Sequence, residues 1–125
     1  MSQLLHSELT NPSDTDKDNL DKAKHYIEEN LEGVIERLVP GGSPGTLKLF
    51  DNQSEALESA WIVVEAIPEI RQAKVDLLGV LDQVLPSDVI IATNSSSFKA
   101  SELADKVKNR DRLVNTHYYM PPESL

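Results

Sequence analysis

Apolar residues recur along this chain with a changing period, and the changes mark its elements. Leu20, Ala23, Ile27, Leu31, Val34, Ile35 and Leu38 fall three and four positions apart, which lays one apolar stripe along a helix over 18–38. Pro40-Gly41-Gly42 stops that helix, and Ser43-Pro44-Gly45 continues the loop. Residues 46–50 alternate like a short strand, and Asn52, with Glu55 three positions on, reads as the start of a short helix. The run 60–67, Ala-Trp-Ile-Val-Val-Glu-Ala-Ile, is almost continuously apolar and predicts a strand in the middle of a parallel sheet, covered on both faces. Ile70, Ala73, Leu77, Leu78, Leu81, Val84 and Leu85 predict a helix over 69–85. A strand over 88–93, a helix over 99–108 and a last strand over 112–118 complete the pattern.

Strands and helices therefore alternate, which predicts an α/β fold built from right-handed βαβ units around a parallel sheet. Residues 1–17 are polar and carry the turn-rich Asn11-Pro12-Ser13-Asp14, so they read as a flexible N-terminal arm ahead of one domain over 18–125. There is no internal repeat.

Composition narrows the function classes. The net charge of −9 argues against nucleic acid as a partner, because binding phosphates needs clustered Lys and Arg. The most basic stretch, Lys106 to Arg110, is bracketed by Asp105 and Asp111 and reads as a solvated helix end. With no cysteine, disulfides and thiolate metal sites are excluded, and His6, His25 and His117 are too scattered to suggest zinc. No apolar run approaches the length of a membrane span, and neither end carries a targeting signal, so no membrane partner and a cytoplasmic location are expected.

In an open parallel sheet, ligands bind beyond the carboxyl ends of the strands. Three such ends carry polar groups: Glu65 and Glu69; Asn94 with Ser95, Ser96 and Ser97; and Thr116 with His117. Each has an ordinary structural reading beside the functional one. A serine triplet after a strand commonly caps a helix, a strand-end histidine is commonly packed or solvated, Glu69 suits a first helical turn, and Lys74 could lie along its helix with its ammonium in water. Their joint placement at successive strand ends favours a site. A histidine suits proton transfer near neutral pH, and a neighbouring serine hydroxyl suits an alcohol or carbonyl oxygen. The pair fits oxidation of a secondary alcohol with hydride transfer to a cofactor. A serine hydrolase fits poorly, because no Gly-x-Ser-x-Gly turn is present.

Three segments carry a family resemblance: Val64-Glu65-Ala66-Ile67-Pro68-Glu69, Ala92-Thr93-Asn94-Ser95-Ser96-Ser97-Phe98, and His117-Tyr118-Tyr119-Met120-Pro121-Pro122. They resemble the Val-Glu-Ala-x-x-Glu, Asn-Thr-Ser-Ser-Leu and His-Phe-Phe-Asn-Pro motifs of the NAD-binding domain of 3-hydroxyacyl-CoA dehydrogenases, near the L-gulonate dehydrogenase and lambda-crystallin relatives. The helix from Asp18 is similar to the one after the family's second strand. The resemblance implies a Rossmann-type sheet with flanking helices, NAD as cofactor, an acyl-CoA or small hydroxy-acid substrate, and a role in fatty acid metabolism. It further implies His117 as catalytic base, Ser96 as the serine facing substrate and nicotinamide, and Glu69, Lys74 and Asn94 around the cofactor. Asp14 would hold the adenine ribose.

The chain also departs from the family. A first strand with its Gly-x-Gly-x-x-Gly turn is missing, and Gly41-Gly42-Ser43-Pro44-Gly45 is not that motif. Met120 stands where relatives carry Asn. The resemblance ends at Leu125, short of the glutamate that orients the histidine and of the C-terminal domain through which family members dimerise. This implies a domain truncated at both ends, inactive alone, with NAD binding in doubt. The alternative is a non-catalytic Rossmann-like module that pairs with a partner through its exposed sheet edge.

Overall fold

The structure is a computed structural model that describes residues 3–4, 14–50 and 52–119, with side chains described from Lys17 onward in the first helix. Nine elements follow in the order β1 (Gln3–Leu4), α1 (Asp14–Leu38), β2 (Leu47–Lys48), α2 (Gln53–Leu57), β3 (Ile62–Glu65), α3 (Arg71–Val84), β4 (Ile90–Thr93), α4 (Ala100–Leu103) and β5 (Leu113–Asn115). Two single 3₁₀ turns, Ala104–Lys106 and Arg110–Arg112, join α4 to β5. Every strand pair is parallel, as the alternation requires.

Among the described residues the strands form two ladders rather than one. β3, β4 and β5 pair in that order, whereas β2 pairs with β1. The run at 60–67 was expected in the middle of the sheet. Instead β4 is central, and among the described residues β3 bonds only to β4. β3 is also shorter than its apolar run. Ala60 closes a turn onto the Leu57 carbonyl, Trp61 is 57% exposed, and the Ile67 amide donates to the Glu65 side chain instead of a ladder. A side chain that captures a backbone donor ends a strand as effectively as a proline.

The segment expected as an arm contains β1, and α1 begins at Asp14, four residues before the apolar periodicity does. None of the α1 side chains described is fully buried. Leu20, Ile27, Leu31, Val34 and Ile35 are half-covered, and Ala23 and Leu38 are exposed. At α2 the expected cap is present: Asn52 Oδ1 accepts from the Ser54 amide at 2.9 Å. The helix expected over 99–108 is only one α-turn followed by 3₁₀ turns, and the last strand stops at Asn115.

The core lies between α3 and the three-stranded ladder. Leu78, Ile91 and Leu103 are wholly buried, with Val75, Leu81, Val89 and Val107 around them. α3 ends because Pro86 forces Leu85 into an extended conformation (φ −83°, ψ 144°). Gly79 lets the Lys106 turn close against α3: a Cβ there would lie 2.6 Å from Lys106 Cβ. Arg112 locks the far end of the sheet, pairing with the buried Asp82 at 3.0 Å and donating to the Asp82 and Pro86 carbonyls. Burial acts to raise the Asp82 carboxyl pKa. The Lys108 amide, the Arg112 guanidinium and the Asn109 amide outweigh it and hold the group below its ordinary value.

Candidate functional site

Strand parity places the site. Side chains alternate across a strand, so Val63, Ile91 and Leu113, which are in register, face α3 in the core. Two residues further along the same face, the register brings together Glu65, Thr93 and Asn115. The core-facing row therefore changes from apolar to polar at the carboxyl edge of the sheet. Each polar member anchors the segment above it.

Glu65 is the deepest. Its carboxylate accepts from Lys74 Nζ at 2.6 Å, Thr93 Oγ1 at 2.6 Å and the Ile67 amide at 2.8 Å. Lys74 also donates to the Ile67 carbonyl at 2.9 Å and reaches Glu69 at 3.2 Å. Its side chain is 1% exposed. Lys74 thus does not extend along the helix surface into water. It turns inward because three acceptors are there to replace its hydration.

Glu69 connects this buried pair to the serine loop. Its carboxylate accepts from Ser95 Oγ at 2.9 Å and from the Ser97 amide at 3.1 Å. Burial pushes the Glu69 pKa up, but the Ser95 hydroxyl, the Lys74 ammonium and the Ser97 amide together hold it below the ordinary value. Ser95 is buried and also accepts from the Phe98 amide at 3.0 Å, so it shapes the turn. Ser96, held between these two anchored neighbours, is exposed. On the other side, Asn115 caps α4 from β5, accepting from the Ala100 amide at 2.6 Å and donating to the Phe98 carbonyl at 3.2 Å.

His117 follows β5 and is exposed. Its Nδ1 lies 3.2 Å from the Asn94 carbonyl oxygen, and its ring meets Tyr119 edge-on at 4.9 Å between centroids. The Asn94 side chain accepts from the Tyr118 amide at 2.9 Å. Asn94 is thereby turned toward the histidine segment. Thr116 Oγ1 is buried and has no hydrogen-bond partner among the described residues.

Of the residues the sequence singles out, Glu69, Lys74, Asn94, Ser96 and His117 gather at the carboxyl ends of β3, β4 and β5. Lys74 and Asn94 bond to protein groups there. Asp14 is the first residue of α1 and its side chain lies outside the described residues, as does Met120. Thr93 and Asn115 were not singled out. Their signal was a polar residue two positions beyond a core residue on each aligned strand, visible once the register is known.

Ser96 and His117 are both exposed at this edge of the sheet. Among the described residues no glycine turn leads from a strand into a helix. Gly33 and Gly79 lie inside helices, Gly41, Gly42 and Gly45 follow α1, and none opens a helix after a strand. Among the described residues no group of His, Asp and Glu could hold a metal ion, and no helix is long and apolar enough to cross a membrane.

Residues 9–125 match the family model of the 3-hydroxyacyl-CoA dehydrogenase NAD-binding domain. The chain is similar to an L-carnitine dehydrogenase of Nocardiopsis dassonvillei, 36% identical over 91 residues covering 71% of this chain and 28% of the relative. It is also similar to the mitochondrial hydroxyacyl-coenzyme A dehydrogenase of Sus scrofa, 30% identical over 118 residues, 86% of this chain and 38% of the relative. Among solved structures, a 5-formyl-3-hydroxy-2-methylpyridine 4-carboxylic acid 5-dehydrogenase superposes with a TM-score of 0.73 over 89% of this chain and 36% of the other. At 22% identity that likeness shows the fold, a Rossmann-type one. The chain spans well under half the length of each.

Proposed function

We propose that this chain, which belongs to the 3-hydroxyacyl-CoA dehydrogenase NAD-binding-domain family, supplies the proton acceptor and the substrate-facing serine for oxidation of a hydroxyl-bearing substrate. The substrate class is a 3-hydroxyacyl-CoA or a related small hydroxy acid, and NAD, the family's cofactor, provides the hydride acceptor when bound. One observation carries the reading. His117 and Ser96 are exposed at the carboxyl ends of adjacent parallel strands, on segments that Asn94 and Glu69 hold in place.

In this reading His117 takes the hydroxyl proton through Nε2, and Ser96 donates a hydrogen bond to the same substrate oxygen. Glu69 keeps Ser96 in position through Ser95 and Ser97 rather than reacting. These 125 residues alone bind NAD weakly, because the glycine turn that would face its pyrophosphate is not among them.

A chimaera tests the assignment. Residues 60–119 replace the matching stretch of the L-carnitine dehydrogenase, and NADH formation is followed with carnitine and with short-chain 3-hydroxyacyl-CoA. Turnover that falls by about 10² or more in His117→Gln supports the reading. Turnover indifferent to His117→Gln sinks it. Calorimetric titration of the chain itself with NAD checks the cofactor half, where micromolar affinity would contradict the weak binding proposed.

A second reading has one observation in its favour. The apolar strand β3 bonds on one side only among the described residues, which leaves an edge able to pair with a partner strand. A defined complex in size-exclusion at several concentrations would support it.

A further inference from the structure

We infer that Thr93 and Lys74 are positioning residues for Ser96, acting as links in one closed ring of hydrogen bonds beneath the serine loop. The inference rests on the reading of Ser96 as the substrate-facing hydroxyl. Lys74 Nζ donates to Glu65 Oε1 at 2.6 Å, and Thr93 Oγ1 donates to Glu65 Oε2 at 2.6 Å. The Ser95 amide donates to Thr93 Oγ1 at 3.3 Å, and Ser95 Oγ donates to Glu69 Oε2 at 2.9 Å. Glu69 Oε1 closes the ring, 3.2 Å from Lys74 Nζ.

Proton counting fixes the direction of each link. An ionised carboxylate only accepts, so Thr93 and Ser95 each commit their single hydroxyl proton to one. Their oxygens remain as acceptors, and each takes a backbone amide of the loop, that of Ser95 onto Thr93 and that of Phe98 onto Ser95. The Lys74 ammonium has three protons, and its acceptors are Glu65, Glu69 and the Ile67 carbonyl. No proton is left over for a cofactor, and the side chain is 1% exposed.

Ser96 sits where this ring meets solvent. The Ser97 amide also donates to Glu69 Oε2, at 3.1 Å, so the residues on either side of Ser96 are bonded to a single carboxylate oxygen. Glu69 is located by Lys74, and the Ser95 main chain by Thr93. Lys74 belongs to α3, Glu65 to β3 and Thr93 to β4. The ring therefore refers the position of Ser96 to the packed core and not to the loop's own backbone.

The experiment is NMR of the full chain at neutral pH, reading backbone amides and lysine ammonium groups. In the parent, the Lys74 ammonium should exchange slowly and show couplings across its hydrogen bonds to the carboxylate carbons of both Glu65 and Glu69. A Glu65 coupling without a Glu69 one, or fast exchange with water, would mean an open ring and overturn the inference, whether or not any variant folds. Thr93→Val keeps the shape of the side chain and removes its hydroxyl. It should speed exchange of the Ser95 and Ser97 amides on the order of tenfold, the equivalent of one lost hydrogen bond, and Thr93→Ser should restore them. Val107→Ala, a core truncation away from the loop, should lower the urea midpoint and leave those two amides as protected as in the parent. Glu65→Leu with Lys74→Met removes both buried charges together, and should expose the same amides although the fold is retained. Either loop-opening variant, folded and with both amides unchanged, would overturn the inference. In the chimaera, Thr93→Val should lower turnover by roughly tenfold and leave the KM for NAD within about twofold. A raised KM for NAD at constant turnover would move the effect to the cofactor and also overturn it. The two readings fail separately. A chimaera indifferent to Ser96→Ala, with loop protection lost in Thr93→Val, would leave the positioning intact and remove the serine's part in the reaction. Unchanged amides in a chain whose chimaera needs Ser96 would remove the positioning alone.

Discussion

The Lys74 ammonium lies 2.6 Å from the Glu65 carboxylate, and neither side chain is more than 1% exposed. A pair this deep holds its place only while each charge has the other, because either one alone would be buried and uncompensated. Thr93, the Ile67 amide and the Ile67 carbonyl complete the shell, so α3 and the sheet share one polar joint beneath the serine loop. Lys74→Met should cost about 3–5 kcal/mol in urea denaturation. Replacing both partners, as Glu65→Leu with Lys74→Met, should recover much of that loss. A double variant no more stable than the single would show that the joint is not a charge pair in the energetic sense.

The serine loop divides structure from chemistry at adjacent positions. Ser95 is buried and hydrogen-bonded at both lone pair and proton, whereas Ser96 is exposed. Ser95→Ala should lose about 1–3 kcal/mol by leaving Glu69 and the Phe98 amide short of a partner. Ser96→Ala should stay within about 0.5 kcal/mol of the parent yet lower the turnover of the chimaera. Equal stability losses at the two sites would contradict this division.

Glu69 gives stability a pH dependence whose sign follows from its hydrogen bonds. Its folded pKa lies below the ordinary glutamate value, so the folded state favours the ionised group. That contribution is fully present above the ordinary value and is lost as pH falls through the depressed folded one. Asp76, held low by the Lys106 ammonium and Gln72, and Asp82 act in the same direction. Glu69→Gln should therefore narrow, not abolish, the acid limb of stability. Urea midpoints taken from neutral pH down to about pH 3 should show variant and parent converging on acidification. A gap that widens as pH falls would reverse the assignment.

Gly79→Ala sets helix propensity against packing. Alanine is the better helix former by roughly 0.8–1 kcal/mol, but its Cβ would meet Lys106 Cβ at 2.6 Å. That atom cannot swing away as the end of a long side chain would. Packing should win, with a net loss of about 1–3 kcal/mol. A thermal melt that rises instead would show that the Lys106 turn moves freely from α3.

What the sequence determined by itself was local. Helical and strand periodicities depend on neighbours a few positions away, so the order of elements, the helix stop at Pro40 and the cap at Asn52 were legible, and so were the strand-end positions of Glu69, Ser96 and His117. What only the tertiary structure decided depends on register between distant segments. No local pattern tells which parity of β3 aligns with which of β4 and β5, so the row Glu65–Thr93–Asn115 was invisible, and with it the reason Lys74 turns inward. An almost uniformly apolar run looked central, yet β3 is an edge of its ladder among the described residues, because pairing partners are chosen by non-local hydrogen bonds and not by composition. Ser95, Ser96 and Ser97 are identical in sequence. Burial against Glu69 and Phe98 gave the first a structural task and left the second facing solvent, a distinction made by side-chain direction and hence by the fold alone.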